Sequence, residues 1–341
     1  MQRIMIVTNS LTGGGAERSM NLVSNELMKR GWHVALIPIN LSESDLITPT
    51  CEVFPLNREW RGSIFNTLAA IIKFNKVVRS WKPDVVILNC DLPEFFGAFL
   101  LHKQAIVVVE HINFPWLNRV QFGKVVRKIL SARGAVWVAV SSHLGIWPSG
   151  ELPHAVLQNP LTPSIESIHL EATTSHLRRL VYIGRLSGFQ KQPEQMLKMA
   201  ELADIDVEMI GDGLMREALQ KEATAKKLSV KFSGQIKDPW SHVHSGDLLV
   251  VPSAYEGDGL VVIEGMKRGV PMLLSDIPDF RRFDFPDRNY CKNVGDFATR
   301  IDLYRDHLDS LIVPEETSSS ILSSRSLEVV GDTWEEFLNS I

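Results

Sequence analysis

Short apolar runs of strand length alternate with stretches of helical period along most of this chain, and no other feature restricts its fold so strongly. In the first half the apolar runs lie at 3–8, 33–39, 84–89, 105–110, 135–140 and 154–158. Most are rich in Val and Ile and all are too short for a stable helix. Helical stretches fall between them, the signature of parallel βαβ units. Residues 63–81 carry Ile64, Leu68, Ile71, Ile72 and Val78 on one predicted helix face, with Lys73, Lys76 and Arg79 turned away from it. The rhythm breaks at 159–176, NPLTPSIESIHLEATTSH, where two prolines and many hydroxyl side chains leave no core period. That stretch reads as an interdomain linker. Strand-like runs resume near 179–184, 205–210, 229–233, 247–251 and 270–274. The expected architecture is α/β, two Rossmann-like doubly wound domains over 1–160 and 161–325. Serine-rich 318–326 reads as a loop, and 326–341 as a closing helix with Asp332 as its capping residue.

A chain of 341 residues with 45% hydrophobic content is long enough to bury two cores. Cys51, Cys90 and Cys291 are odd in number and widely scattered, which argues against a disulfide framework and for a reducing compartment. They lack metal-site spacing as well. No run approaches the roughly 18 uninterrupted apolar residues of a membrane span, and the N-terminal IMIV passes straight into a polar glycine turn. The expectation is a cytoplasmic protein. Its net charge of −4 conceals an asymmetry: residues 1–160 hold 16 Lys+Arg against 11 Asp+Glu, and the remainder 20 against 29. Between His111 and Gly150 there is no acidic residue, while Arg119, Lys124, Arg127, Lys128 and Arg133 alternate with Phe114, Trp116, Phe122, Trp137 and Trp147. Region 114–133 fits an anionic membrane surface, and fits equally a solvated helix face over an aromatic core. Nucleic acid is disfavoured, because the chain as a whole is acidic and the basic patch is local.

The residues that carry chemistry gather where strand-like runs end. DLLVV leads into PSAYEGDGLVVIEGM, which sets Glu256 in a loop and Glu264 about a turn into the following helix. Ligands of open α/β sheets bind at such carboxyl ends. Backbone N–H groups of a Gly-rich turn suit a diphosphate, and carboxylates accept hydrogen bonds from sugar hydroxyls. In VYIGRLSGFQK a strand delivers Gly184 and Arg185, with Lys191 six residues on; two cations there can clamp a diphosphate. AIVVVEH ends a strand on Glu110 and His111, and IMIVTNSLTGGGAER is a strand, a glycine turn holding Gly14 and Gly15, and a helix start. Gly211, in the GDG at 211–213, opens another strand-to-helix turn.

These segments resemble the retaining GT-B glycosyltransferases, specifically the GT4 group. That group's second domain carries a GRL…K segment and an EGF-G/P-x-x-x-x-E-A segment, and its first domain a GGAE-like loop and a strand ending in histidine. All occur here in order: Gly184 to Lys191, Glu256 to Glu264, Gly14 to Glu17, and His111. The resemblance implies a nucleotide-diphosphate sugar, UDP favoured over GDP, as donor and a glycan, lipid-linked, as acceptor in surface polysaccharide or lipopolysaccharide synthesis. It assigns Glu264 to the ribose hydroxyls, Glu256 to the transferred sugar, and Arg185 and Lys191 to the diphosphate. Backbone amides of Gly257, Gly259 and Leu260 would meet sugar and phosphate, Gly14, Gly15 and Gly211 would approach the donor, and His111 would lie on the acceptor side. It also implies that helix 326–341 crosses back to the first domain. No cofactor and no metal are expected, since fixed cations take the metal's place and no Asp-x-Asp cluster sits in a strand-end loop. Membrane contact would then be peripheral, on the inner face of the cell membrane. Two positions depart from the group's pattern: Asp258 stands where an aromatic is common, and Gly265 where alanine is usual. Asp258 bears on donor choice, because a carboxylate there must meet a hydroxyl, an amide or a cation. Competing readings are a sugar-nucleotide epimerase of GT-B type and a non-catalytic nucleotide-sugar-binding subunit. A NAD-dependent oxidoreductase is weaker, as no G-x-G-x-x-G follows the first strand.

Overall fold

The computed structural model describes residues 2–41, 45–59, 63–162 and 175–341. Two compact units emerge, one formed by Met1–Thr162 with Arg325–Ile341, the other by Pro163–Ser324. Most of the linker stretch, 163–174, lies outside the described residues.

The first unit runs β1 (Arg3–Thr8), α1 (Gly15–Lys29), β2 (His33–Pro38), β3 (Glu52–Val53), α2 (Ile64–Trp81), β4 (Val85–Asn89), α3 (Asp91–Ala98), β5 (Ala105–Glu110), α4 (Val120–Ala132), β6 (Val136–Ala139) and β7 (Ala155–Val156). Its sheet has the order β3-β2-β1-β4-β5-β6-β7, and the strand pairs are parallel. Side chains alternate between two cores: Ile4, Ile6, Ile87, Val107 and Val109 face one side, and Met5, Val7, Val86, Leu88, Ile106 and Val108 the other. Burial on both faces explains why these strands read as unbroken apolar runs.

The second unit runs β8 (Arg179–Ile183), α5 (Glu194–Ala203), β9 (Asp206–Ile210), α6 (Arg216–Ala225), β10 (Val230–Gly234), β11 (Asp247–Val251), α7 (Leu260–Lys267), β12 (Met272–Ser275), α8 (Pro278–Arg281), β13 (Tyr290–Cys291), α9 (Val294–Leu303) and α10 (Glu315–Ser323). Its parallel order is β10-β9-β8-β11-β12-β13. In each sheet the strand order reverses at one place, between β1 and β4 in the first and between β8 and β11 in the second. Such reversals open the crevice in which this fold class binds ligands. A last helix, α11 (Leu327–Ser340), packs Trp334, Phe337 and Leu338 into the core beside α1. Arg30 reaches from the end of α1 to Asp332 at 2.6 Å and Glu335 at 3.1 Å.

Three expectations change, and two strands are added. Serine-rich 318–326 is not all loop: Glu315–Ser323 is helical, with Ser318 and Ser319 donating their hydroxyls to the Glu315 carbonyl, so these polar groups are bonded within the helix. The cap of α11 is Ser326, which accepts from the Val329 N–H, so Asp332 lies within the helix. Helix α2 buries Ala70, Phe74, Val78 and Trp81, leaving Ile64, Leu68 and Ile72 exposed. Its first turns carry apolar side chains on most sides, interrupted only by Asn66 and Thr67, so spacing could not pick a face. Phe74 against Phe96, and Asn75 bonded to the Phe99 carbonyl and the Leu101 N–H, set the rotation. Finally, the two-residue strands β3 and β13 are too short to show a period. Among the described residues no helix is long and apolar enough to cross a membrane.

Candidate functional site

In the second unit the loops that follow β8 and β11 are stitched together at the strand-order reversal. The Ala254 N–H donates to the Gln190 carbonyl at 2.8 Å, and Lys191 Nζ meets Glu256 Oε1 at 2.5 Å. Glu256 is buried; Ser253 Oγ donates to the same carboxylate oxygen at 2.7 Å, and its backbone N–H donates to Asp279 at 2.7 Å. Arg185 is exposed and, among the described residues, forms no ion pair. Tyr182 donates its hydroxyl to the Arg185 carbonyl at 2.9 Å. Burial, and then the Glu256 charge, push the phenols of Tyr182 and Tyr255 upward, so both stay protonated donors. The result is a carboxylate, an ammonium and an exposed guanidinium at neighbouring strand ends.

Glu264 sits in the second turn of α7 and accepts from Trp240 Nε1 at 2.6 Å. Trp240 itself is buried beneath Arg268, whose guanidinium lies 4.5 Å from the ring centroid. Gly265 leaves room for that ring: a Cβ there would lie 2.9 Å from Leu249 Cδ2 and 3.2 Å from Trp240 Cη2. The loop Gly257–Asp258–Gly259 is buried, and Gly259 turns it into α7 with φ 64°, Phe280 and Phe283 packed behind. Leu260 is the first residue of that helix. Asp258 is held by Arg282, which donates to its carbonyl at 2.6 Å and to its carboxylate at 3.1 Å. Gly211 has φ 141°, and a Cβ on it would stand 1.9 Å from the Gly184 carbonyl oxygen. The close backbone packing of the β8 and β9 ends explains that glycine without a ligand.

In the first unit Gly14 caps α1 and Gly15 begins it. His111 follows β5, and its Nε2 lies 2.5 Å from Asn89 Oδ1 at the end of β4. The preceding Glu110 joins a buried network. Arg127 pairs with Glu94 at 2.5 Å and with Glu110, Trp116 Nε1 donates to Glu94 at 2.7 Å, and the Trp147 N–H donates to Glu110 at 3.0 Å. Arg127 is therefore not one of the surface cations, and Trp116 and Trp137 are core residues. What stays exposed on α4 and beside it is Arg119, Lys124, Lys128 and Arg133 with Phe114, Phe122, Val125 and Ile129.

The two loops after β8 and β11 could be anticipated as one neighbourhood, but Asp279, Arg282, Trp240 and Asn89 could not. No motif marks them, and a position at a strand end in a parallel sheet was their one available signal.

Known proteins resemble both units. The family model described as Glycosyltransferase Family 4 matches residues 13–145, and that described as Glycosyl transferases group 1 matches 171–283. A galactosaminyltransferase of Campylobacter jejuni, named for a GalNAc-containing diphospho-undecaprenol, is 24% identical over 279 residues, 78% of this chain and 77% of that protein. The sulfoquinovosyl transferase SQD2 of Arabidopsis thaliana is 26% identical over 59% of this chain, and the match spans 45% of its length. Among solved structures, Anabaena HepE, crystallised with UDP and glucose, superposes with a TM-score of 0.75 at 17% identity, covering 100% of each chain. Sucrose-phosphate synthase from Thermosynechococcus elongatus gives 0.76 at 16% identity, covering 100% of this chain and 99% of that one.

Proposed function

The chain belongs to the GT4-type glycosyltransferases of GT-B fold, and from that premise we propose that it moves a hexose or N-acetylhexosamine, with retained configuration, from a nucleotide-diphosphate sugar to a glycan acceptor in surface polysaccharide synthesis. One observation carries the reading: exposed Arg185, with no ion pair among the described residues, stands with Lys191 and buried Glu256 at the β8–β11 reversal. As the glycosidic bond breaks, negative charge grows on the leaving diphosphate, and fixed cations placed there beforehand lower the barrier without reorganising. Arg185 offers a planar fork for two phosphate oxygens. Lys191 is kept in place by Glu256, whose second role is to accept from hydroxyls of the transferred sugar. Glu264, steadied by Trp240, takes the ribose hydroxyls. No protein nucleophile is assigned; the departing phosphate takes the acceptor proton, with His111 orienting the acceptor.

UDP is the favoured donor nucleotide, supported by UDP in the HepE structure and in that of S. aureus TarM. A lipid-linked acceptor is supported by the diphospho-undecaprenol in the name of the Campylobacter relative. Such an acceptor calls for cytoplasmic enzyme at the inner membrane face, and the exposed basic and apolar residues of α4 suit that contact. The donor clamp needs no metal in this reading.

Thermal-shift measurements across UDP, GDP, ADP and dTDP sugars identify the donor, since a ligand of the folded state raises stability with the logarithm of its concentration over Kd. Arg185→Ala and Lys191→Ala should each lower turnover by at least about tenfold and weaken nucleotide binding by about 1.5–3 kcal/mol. Undiminished turnover in both variants removes the clamp. Activity should persist in EDTA; a loss that magnesium restores would contradict the fixed-cation account.

A further inference from the structure

Four pieces of chain meet at the strand-order reversal of the first sheet: the end of β1, the first turn of α1, and the ends of β4 and β5. Asn89, fully buried, joins them. Its Nδ2 lies 3.3 Å from the Ala16 carbonyl and 3.4 Å from Thr8 Oγ1, and its Oδ1 lies 2.5 Å from His111 Nε2. The backbone yields to this placement. Cys90, the next residue, takes φ 81° and ψ 178°, a region almost restricted to glycine that costs about 1–3 kcal/mol.

We propose that Asn89 is a positioning residue for His111, tying the imidazole to the glycine-turn helix and dictating that Nε2 carries its proton; this rests on the reading of His111 as an acceptor-side residue. The logic follows from donor and acceptor chemistry. A backbone carbonyl can only accept, so the amide nitrogen must face Ala16. The amide oxygen therefore faces His111, and it too can only accept. Nε2 must then donate, which in the neutral ring leaves the lone pair on Nδ1. The partner's neutrality matters as well. A carboxylate at this position would stabilise the imidazolium, whereas an amide orients the ring without favouring its charged form. Asn89 also makes the His111 ring and the start of α1 a single hydrogen-bonded unit, so a ligand that displaces Ala16 displaces the imidazole.

Selective 15N-histidine labelling tests this directly, with His111→Gln used to assign the resonance among the 10 histidines. The wild-type protein should show His111 protonated on Nε2, that proton shifted downfield and protected from exchange. A proton on Nδ1, or an unprotected Nε2–H, in the wild-type protein overturns the proposal. In Asn89→Ala the protection should vanish while thermal unfolding stays cooperative, and turnover should fall roughly ten- to hundredfold with little change in donor KM. Asn89→Asp should raise the acid limb of the pH–rate profile by about one unit or more. If the Nε2–H is protected in wild type and released in Asn89→Ala, yet turnover is unchanged, the hydrogen bond stands and the acceptor-side reading of His111 is what fails, taking the positioning role with it.

Discussion

Asp258 shows how a single departure from a family's pattern is absorbed. Its carboxylate would be a third acid beside a bound diphosphate, yet it is buried and answered by Arg282, which also donates to the carbonyls of Asp258 and Asp279. The cation comes from the turn after β12, where the Glu256 N–H is held by Asp279, so the loop is anchored from behind at several points. Arg282→Ala should destabilise the protein by about 3–5 kcal/mol, because it removes the cation paired with a buried carboxylate. Replacing the pair together, Asp258→Phe with Arg282→Leu, should recover most of that loss, and a double-mutant cycle by urea denaturation measures the coupling. Additive losses would mean that the two side chains do not depend on one another. Asp258→Phe by itself should change the ratio of kcat/KM between donor sugars more than it changes affinity for the bare nucleotide. Uniform scaling across donors would detach this side chain from sugar choice.

At the scale of elements, the Glu94–Arg127–Glu110 network ties α3, α4 and β5 to the Trp147 segment. One cation serves two buried carboxylates. Burial pushes Glu94 up to about 7, against the pull of Arg127. A carboxyl whose folded pKa lies above its unfolded value of 4.5 binds its proton more tightly when folded. Its contribution is therefore complete below the unfolded value and is lost as pH rises toward and through about 7. Urea midpoints at pH 5.5 and 8 should show wild type losing on the order of 2 kcal/mol relative to Glu94→Gln, which keeps a neutral side chain throughout. Parallel pH dependence in the two proteins would show that Glu94 stays ionised across this range. The second unit has a counterpart of opposite sign. Burial works against Glu208, but hydrogen bonds from Ser233, His242 and Lys231 and the charge of Arg179 bring it down to about 2, so its contribution fades only in acid.

Across the whole molecule the exposed apolar side chains include a concentration on one side of the first sheet. Ile64, Phe65, Leu68 and Ile72 of α2 join Phe99, Leu101, and Phe122, Val125 and Ile129 of α4. Contacts of Phe95 with Phe99 and Phe122, and of Asn75 with residues 99 and 101, link α2 and α4 through α3 and the turn that follows it. Lys73, Lys76, Lys124 and Lys128 border them. Each such charge near an anionic bilayer is worth about 1 kcal/mol at low salt, enough together for weak, reversible attachment. The protein should co-sediment with vesicles containing anionic lipid at low ionic strength, less so in high salt, and Lys124→Glu with Lys128→Glu should abolish it. Equal recovery in the supernatant with and without anionic lipid would make this a solvated face.

Strand positions, the α/β class and the two-unit division were legible in the sequence because a strand buried on both faces must be apolar at every position, and that demand is local. That Gly184, Arg185, Lys191 and Glu256 lie in the segments following β8 and β11 was legible for a related reason: each motif comes straight after an apolar run of strand length. The rotation of α2 was not legible, since its first turns carry apolar side chains on most sides and the helix is oriented by whatever packs against it, here Phe96 and the 99–101 turn. Nor could spacing reveal that Arg127 is buried rather than exposed, that Arg282 answers Asp258, or that Asn89 holds His111. Each of those pairings joins residues from 17 to 33 positions apart. Such distances carry no periodic signal, because they are closed by parallel crossovers whose ends meet only when the sheet has formed.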